Sequence, residues 1–294
     1  MRFGRYSVVA LWMILWAFPA AAQVAVELSL NQEKYMQYEP IYAKVRLRNY
    51  SGRPLVFGKD ESLRGELLLE ITRNRRLLTP VSNKDISVIG TVLLPGQSDE
   101  FVFRVDRHYK MTQIGHYNIH AYVRHKKLPD VFRSPERSIE ITPGVELWRR
   151  SVGVPDVLAG TRDVKMNDKP LKMRSFSLRV LEERAVRYYY VVVEDSRKVY
   201  GVIRVGREVS SAPRSQEVDM LNRLHLVVPV ASRLFRYIVI NLDGKIEQQE
   251  FIKRDRSVPG LVRDRKSGQV TRVGGVEAVP GVDYKLPDVK KDFQ

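Results

Sequence analysis

From Val24 onward, apolar and polar residues alternate with a period of two. Val24, Val26, Leu28 and Leu30 are separated by Ala25, Glu27 and Ser29, and Ile41, Ala43, Val45 and Leu47 by Tyr42, Lys44 and Arg46. Such alternation predicts strands with one face in a core and one in water. Further strands are expected over 67–71, 76–78, 101–105, 117–123 and 138–141. Turns are expected at 49–54, at Asn74 and at 93–98, where glycine, proline, asparagine and serine cluster. In the second half the pattern predicts a strand from Phe176 and a hairpin of 186–193 with 199–205. A second hairpin, 234–241 with 246–252, turns at Asp243-Gly244, and a third, over 261–276, turns at Ser267-Gly268. One segment breaks the period. Residues 215–224 carry Ser215 as a cap, Glu217 and Asp219 in the first turn, and Val218, Leu221 and Leu224 on one face, and so predict a short helix.

The expected fold class is therefore all-β: a β-sandwich followed by a second β-rich domain with one short helix. The expected organisation is a signal peptide over 1–22, a sandwich over 23–146, a linker over 147–170, a basic β-rich domain over 171–279 and an extended polar tail over 280–294. The linker is drawn where Gly153, Pro155, Gly160, Asn167 and Pro170 interrupt any sustained period.

The segment Ile114-Gly115-His116-Tyr117-Asn118-Ile119-His120-Ala121-Tyr122 has the spacing of a tyrosine corner, in which a buried tyrosine hydroxyl bonds back to the backbone a few residues upstream. Taken with the Asn-x-Ser turn after the second strand, the unit at Leu67–Leu78 and Leu-Pro-Gly-x-Ser before Phe101, the order resembles the immunoglobulin-like modules of bacterial exported proteins, including the fold of the BsuPI-type proteinase inhibitors. The resemblance covers 24–142. It implies a fold and carries over no functional residue, since such folds host many activities.

The N-terminus changes the picture from fold to destination. Arg2 and Arg5 precede an apolar run, Val8–Phe18, which Pro19 ends before Ala20-Ala21-Ala22. That order predicts a cleavable signal peptide cut after Ala22, and export to the periplasm or the medium. The apolar run is too short to span a bilayer, which takes about 20 residues, and no second run follows, so no transmembrane segment is expected in the mature chain. The chain has no cysteine, which excludes disulfides, thiolate metal sites and an acylated lipobox.

Charge is uneven. The whole chain carries +16, with 19 basic against 15 acidic residues in 23–146 and 29 against 19 in 147–294. A basic exported domain attracts polyanions, so the expected partners are an anionic glycan or another envelope protein. Cytoplasmic nucleic acid is excluded by export.

Candidate chemistry is sparse. His108, His116, His120 and His125 fall close together, but on a strand His116 and His120 stand roughly 13 Å apart, too far to share a metal. No metal or cofactor is expected. His225 lacks a Gly-x-Ser-x-Gly elbow beside it and is expected to close or underlie the helix, satisfied by a hydrogen bond. Adjacent acids such as Asp99-Glu100 and Glu194-Asp195 point to opposite strand faces. Tyr188 and Tyr190 share a face with Val186 and Val192, which leaves Tyr189, with Arg184 and Arg187, as the candidate ligand platform for stacking on a sugar. Asn49-Tyr50-Ser51 matches a glycosylation acceptor. The expected function is an exported non-enzymatic binding or assembly protein. The alternatives are an accessory protein or cryptic hydrolase acting on envelope glycan or peptide, and an inhibitor of an exported protease.

Overall fold

The computed structural model describes residues 23–81, 88–154, 172–209 and 212–285. The expected signal peptide, its cut site and the end of the tail lie outside the described residues.

The chain is all-β. Strands β1 (Val24–Leu30), β2 (Lys34–Met36), β3 (Tyr42–Asn49) and β4 (Leu55–Val56) come first. They are followed by β5 (Gly65–Arg73), β6 (Arg76–Leu77), β7 (Val92–Leu93), β8 (Ser98–Arg104), β9 (Gly115–His125), β10 (Phe132–Arg133) and β11 (Arg137–Thr142). The second half holds β12 (Val145–Val154), β13 (Lys172–Glu183), β14 (Val186–Glu194), β15 (Val199–Arg207), β16 (Ser215–Val218) and β17 (Leu224–Pro229). It ends with β18 (Leu234–Ile240), β19 (Ile246–Lys253), β20 (Gly260–Arg263), β21 (Val270–Val273) and β22 (Val276–Glu277). Among the described residues the only helical elements are two three-residue 3-10 turns.

The strands fall into two compact units. One takes residues 42–110 and 118–137 with the described part of 1–30, and the other takes 31–41, 111–117 and the described part of 138–294.

In the first unit β3 lies between β1 and β8, both antiparallel to it. The period-two pattern is realised as read: Val24, Val26 and Leu28 on β1 and Ala43, Val45 and Leu47 on β3 are buried. Strand β5 lies between β9 and β6, with Leu67, Leu69 and Ile71 buried. Asn74 and Arg75 make the β5–β6 turn in the left-handed region, at φ 51° and 64°. Asn49 is fully buried, at 0 % exposure. Its amide donates to the Arg53 and Leu93 carbonyls and its oxygen accepts from Ser51. The acceptor motif is thus a turn lock, and its nitrogen is not available for a glycan.

The second unit is a two-layer sandwich. One sheet has the order β12-β13-β14-β15 and the other β16-β17-β18-β19-β22. Phe176, Leu178, Val180, Tyr189, Val191 and Val193 of the first pack against Val218, Leu224, Leu226, Val228, Ile238 and Ile240 of the second. The β20–β21 hairpin and Val258 add a smaller apolar cluster around Val227, Phe235, Tyr237 and Ile252. Strand β2 runs parallel to β11, with Lys34 opposite Glu140. At the start of β9 the Tyr117 hydroxyl donates to the Gln113 carbonyl at 2.7 Å, which is the tyrosine-corner bond.

Three sequence expectations are corrected here. The helix over 215–224 is absent. Ser215–Val218 pairs antiparallel with β17, and the Asp219 carboxylate accepts the Leu221 and Arg223 amides to build a tight turn with Asn222 at φ 59°. Leu221 is 62 % exposed. The run Leu224–Val228 that follows is buried on both faces, and burying it favours an extended chain. The linker over 147–170 is a strand as far as Val154, and residues 155–170 lie outside the described residues. Strand β12 pairs with β13, but a bulge between Glu146 and Trp148 breaks its period, which hid it from the sequence pattern. The tail is not extended over 280–285: Tyr284 bridges to Pro280 and its ring lies on Phe251, while Asp283 pairs with Lys253.

Candidate functional site

The triplet Tyr188-Tyr189-Tyr190 lies on the central strand β14, which is buried on both faces. Tyr189 points into the sandwich core at 3 % exposure, and its hydroxyl donates to Glu208 at 2.9 Å. A ring enclosed this way presents no face to a sugar, so the expected platform is not formed. Arg187 pairs with that same Glu208 at 2.7 Å. Arg184 sits at the β13–β14 turn and pairs with Glu33. Tyr189 and Arg187 therefore share a structural contact at Glu208, Arg184 serves another at Glu33, and the three do not converge on a ligand surface. The signal against Tyr189 was present in the sequence: Tyr188–Val193 is a continuous apolar run, the signature of a strand covered on both sides.

The face of β14 opposite the core carries Tyr188, Tyr190 and Val192, and with Leu181 and Met36 they form a second apolar cluster. By the same period, Arg179 and Ser177 of β13, opposite Tyr190 and Val192, lie on this outer face, and the Ser175–Glu194 pair lies beyond Val192. There the face opens into a groove of about 950 Å³, lined by Arg149, Lys172, Ser175, Glu194, Asp195, Arg197, Lys198, Tyr200 and their neighbours.

The groove's two acids are already engaged. Glu194 accepts from Arg149 and from Arg179, each at 2.7 Å. Asp195 accepts from the Tyr200 hydroxyl at 2.7 Å and from the backbone amides of Arg197 and Lys198. These bonds, the tyrosine's first, lower its carboxyl to about 2. Arg174 lies 3.6 Å over the Tyr200 ring and fixes that ring from beneath by donating to the Leu242 carbonyl. The turn 195–198 is thus held by its backbone and by Asp195, and the side chains of Arg197 and Lys198 are not needed to form it. Arg197 makes no side-chain hydrogen bond or ion pair among the described residues.

The histidines do not converge. His120 hydrogen-bonds the Ser134 carbonyl and pairs with Glu136 at 3.2 Å. His125 is buried against Phe57, bonded to the Val56 carbonyl and the Lys127 amide. Among the described residues no group of three or more His, Asp or Glu side chains could hold a metal. His225 is satisfied, as expected, but within a sheet: Nε2 donates to Asp219 at 3.1 Å and Nδ1 accepts from the Tyr237 hydroxyl at 2.8 Å. A second cleft, of about 510 Å³ in the first unit, is lined by Arg64, Glu66, Arg124 and Lys126, whose charges are already paired with one another and with Glu61.

No family model matches the chain, and no curated protein does. Among solved structures it is similar to Spo0M, the sporulation control protein from Bacillus subtilis, at 12% identity and a TM-score of 0.27, over 64% of this chain and 91% of that one. A likeness that loose carries no argument about fold or function. Among the described residues no helix is long and apolar enough to cross a membrane.

Proposed function

We propose that this chain is an exported, non-enzymatic binding protein of the bacterial envelope, and that its groove beside Tyr200 takes an anionic glycan. The observation that carries the reading is the groove's charge. Arg197 and Lys198 stand on a turn that is held without their side chains, while Glu194 is engaged by Arg149 and Arg179 and Asp195 by Tyr200 and the turn amides, so the outward charge of the lining is positive. A concave cationic surface with hydroxyls (Ser175, Ser196) and an immobilised tyrosine ring suits a polymer of acidic sugars, whose charge is repeated and whose rings stack. Export is supported by the order of Arg2, Arg5, the apolar run and Ala20–Ala22.

The test is retention of the full chain on immobilised polygalacturonate, with neutral dextran as control. Retention is expected to fall steeply with salt, as contacts with a charged polymer do. The double variant Arg197→Glu, Lys198→Glu is expected to elute early, because the turn survives while the groove loses its outward cations. Wild-type-like retention of that variant overturns the assignment of the groove.

A further inference from the structure

Residues 31–41 are flanked in sequence by the first unit but belong to the second. There they lie over the outer face of β14. Met36 packs with Leu181, Tyr190 and Val192. Two polar clamps flank that contact.

The outer clamp is exposed. The Arg184 guanidinium pairs with the Glu33 carboxylate, and the Glu33 amide donates to Glu183 at 2.8 Å. The inner clamp is buried. Glu39, 8 % exposed, accepts from the Gln32 amide at 3.0 Å, the Met36 backbone N–H at 2.8 Å and the Tyr190 hydroxyl at 3.2 Å. Both clamps are built on strained backbone. Tyr38, in the turn between Met36 and Glu39, has φ 68°, and Arg184 and Ala185 have φ 49° and 62°. Left-handed non-glycine residues cost about 1–2 kcal/mol each and persist where surrounding contacts over-determine them.

We propose that residues 31–41 are a releasable strap, which closes over Tyr188 and Tyr190 while Glu39 is protonated and lifts as Glu39 ionises, extending the open face of the groove by two tyrosines.

The charged and titratable groups facing Glu39 are few. Tyr190 comes from β14, Arg204 from β15 and Tyr35 from the strap, with Glu183 beyond the hairpin turn. Arg204 is turned onto the Tyr188 ring, at 3.6 Å, and forms no ion pair with Glu39. Burial therefore raises the carboxyl, and the bonds from Gln32, the Met36 amide and Tyr190 and the field of Arg204 offset only part of it. An acid raised in the closed state binds its proton more tightly there than in the open state. Closure is thus fully favoured below the ordinary carboxylate range and weakens as pH rises through the raised value. The proposal does not depend on what the groove binds.

The test is amide hydrogen exchange of the full chain from mildly acidic to mildly alkaline pH, corrected for intrinsic base catalysis. The reporters are the Met36, Gln37 and Glu39 amides, which bond to Glu39, Thr142 and Met36, with the β18 amides as reference. Strap protection is expected to fall relative to β18 as pH rises, and Glu39→Gln is expected to abolish that slope. Glu33→Ala, which leaves the buried acid intact, is expected to lower strap protection by up to about fivefold at every pH, with the slope unchanged. A wild-type chain whose strap protection does not change with pH overturns the proposal whether or not Glu39→Gln folds. A Glu39→Gln slope equal to the wild type's overturns it too.

Discussion

Two buried acids of the second unit, Asp219 and Glu39, have similar neighbours and opposite behaviour. Each is nearly excluded from water, and each bonds a backbone amide and a ring-bearing or amide side chain. Asp219 also faces Arg223, at 2.8 Å, and His225. Burial pushes its carboxyl up, but the Arg223 amide, the His225 ring and the Arg223 guanidinium together outweigh burial and hold it below its ordinary value. Glu39 has three neutral donors and a distant arginine, and burial wins. Desolvation is common to both; a cation in direct contact decides the sign. The first arrangement is a fixed structural joint of β16, β17 and β18, and the second is one that can change state.

The sharpest break of this comparison is Asp219→Ala. It strands His225, the Arg223 guanidinium and two turn amides, and is expected to cost about 3 kcal/mol or more in urea unfolding. Gly144→Ala comes next. Gly144 has φ +68°, and a Cβ there would stand 2.6 Å from the Met36 Cε and 2.9 Å from the Val180 carbonyl. The expected cost is about 2 kcal/mol, with the strap amides losing protection more than β18, because Met36 is the side chain that must move.

Glu39→Gln is smaller in size but removes a slope. The new amide can offer its oxygen to the Met36 N–H and its NH2 to Gln32, once the Gln32 amide turns over, so hydrogen bonding survives without charge. Wild-type stability is expected to decline as pH rises above the ordinary carboxylate range, through the raised value of Glu39, and this component disappears in the variant. Asp219 acts in the opposite sense. Its contribution is present above the ordinary carboxylate range and is lost as pH falls through its depressed value, so Asp219→Asn removes an acid-side slope instead. Unfolding midpoints measured across pH for the two variants separate these effects. The smallest expected effect is Glu33→Ala, whose exposed pair leaves the global midpoint unmoved within error and shows only in strap exchange.

Much of the fold was legible because the strand signal is local. Alternation placed β1, β3, β14 and β18 within a residue or two, and Asp243-Gly244 marked its turn, with Gly244 at φ 70°. Tyr117 also behaved as its spacing predicts. The misses share one cause, which is that pattern reports solvent and not neighbours. Val218, Leu221 and Leu224 have helical spacing, yet Leu221 points to water and Asp219 turns the chain instead of capping a helix. The candidate site was less legible. With one core-facing side assigned to β14, the one that carries Tyr190, Tyr189 falls on a wet face; its cover comes from the opposing sheet, from Val218, Leu226 and Ile238, while Met36, about 150 residues earlier, covers the Tyr190 side.

By itself, then, the sequence determined that the chain would be built of strands, where most of its turns fall, and that its second half would be basic. These properties depend on each residue's own preference for water and on the geometry of its nearest neighbours in the chain. Tertiary structure alone decided that Tyr189 is core, that Asp195 and Glu194 are consumed so that the groove is cationic, and that Glu39 is buried beside Tyr190 with no cation in contact. Such outcomes depend on which distant segment covers a face, and a pairwise, long-range choice of that kind leaves no period in the chain to read.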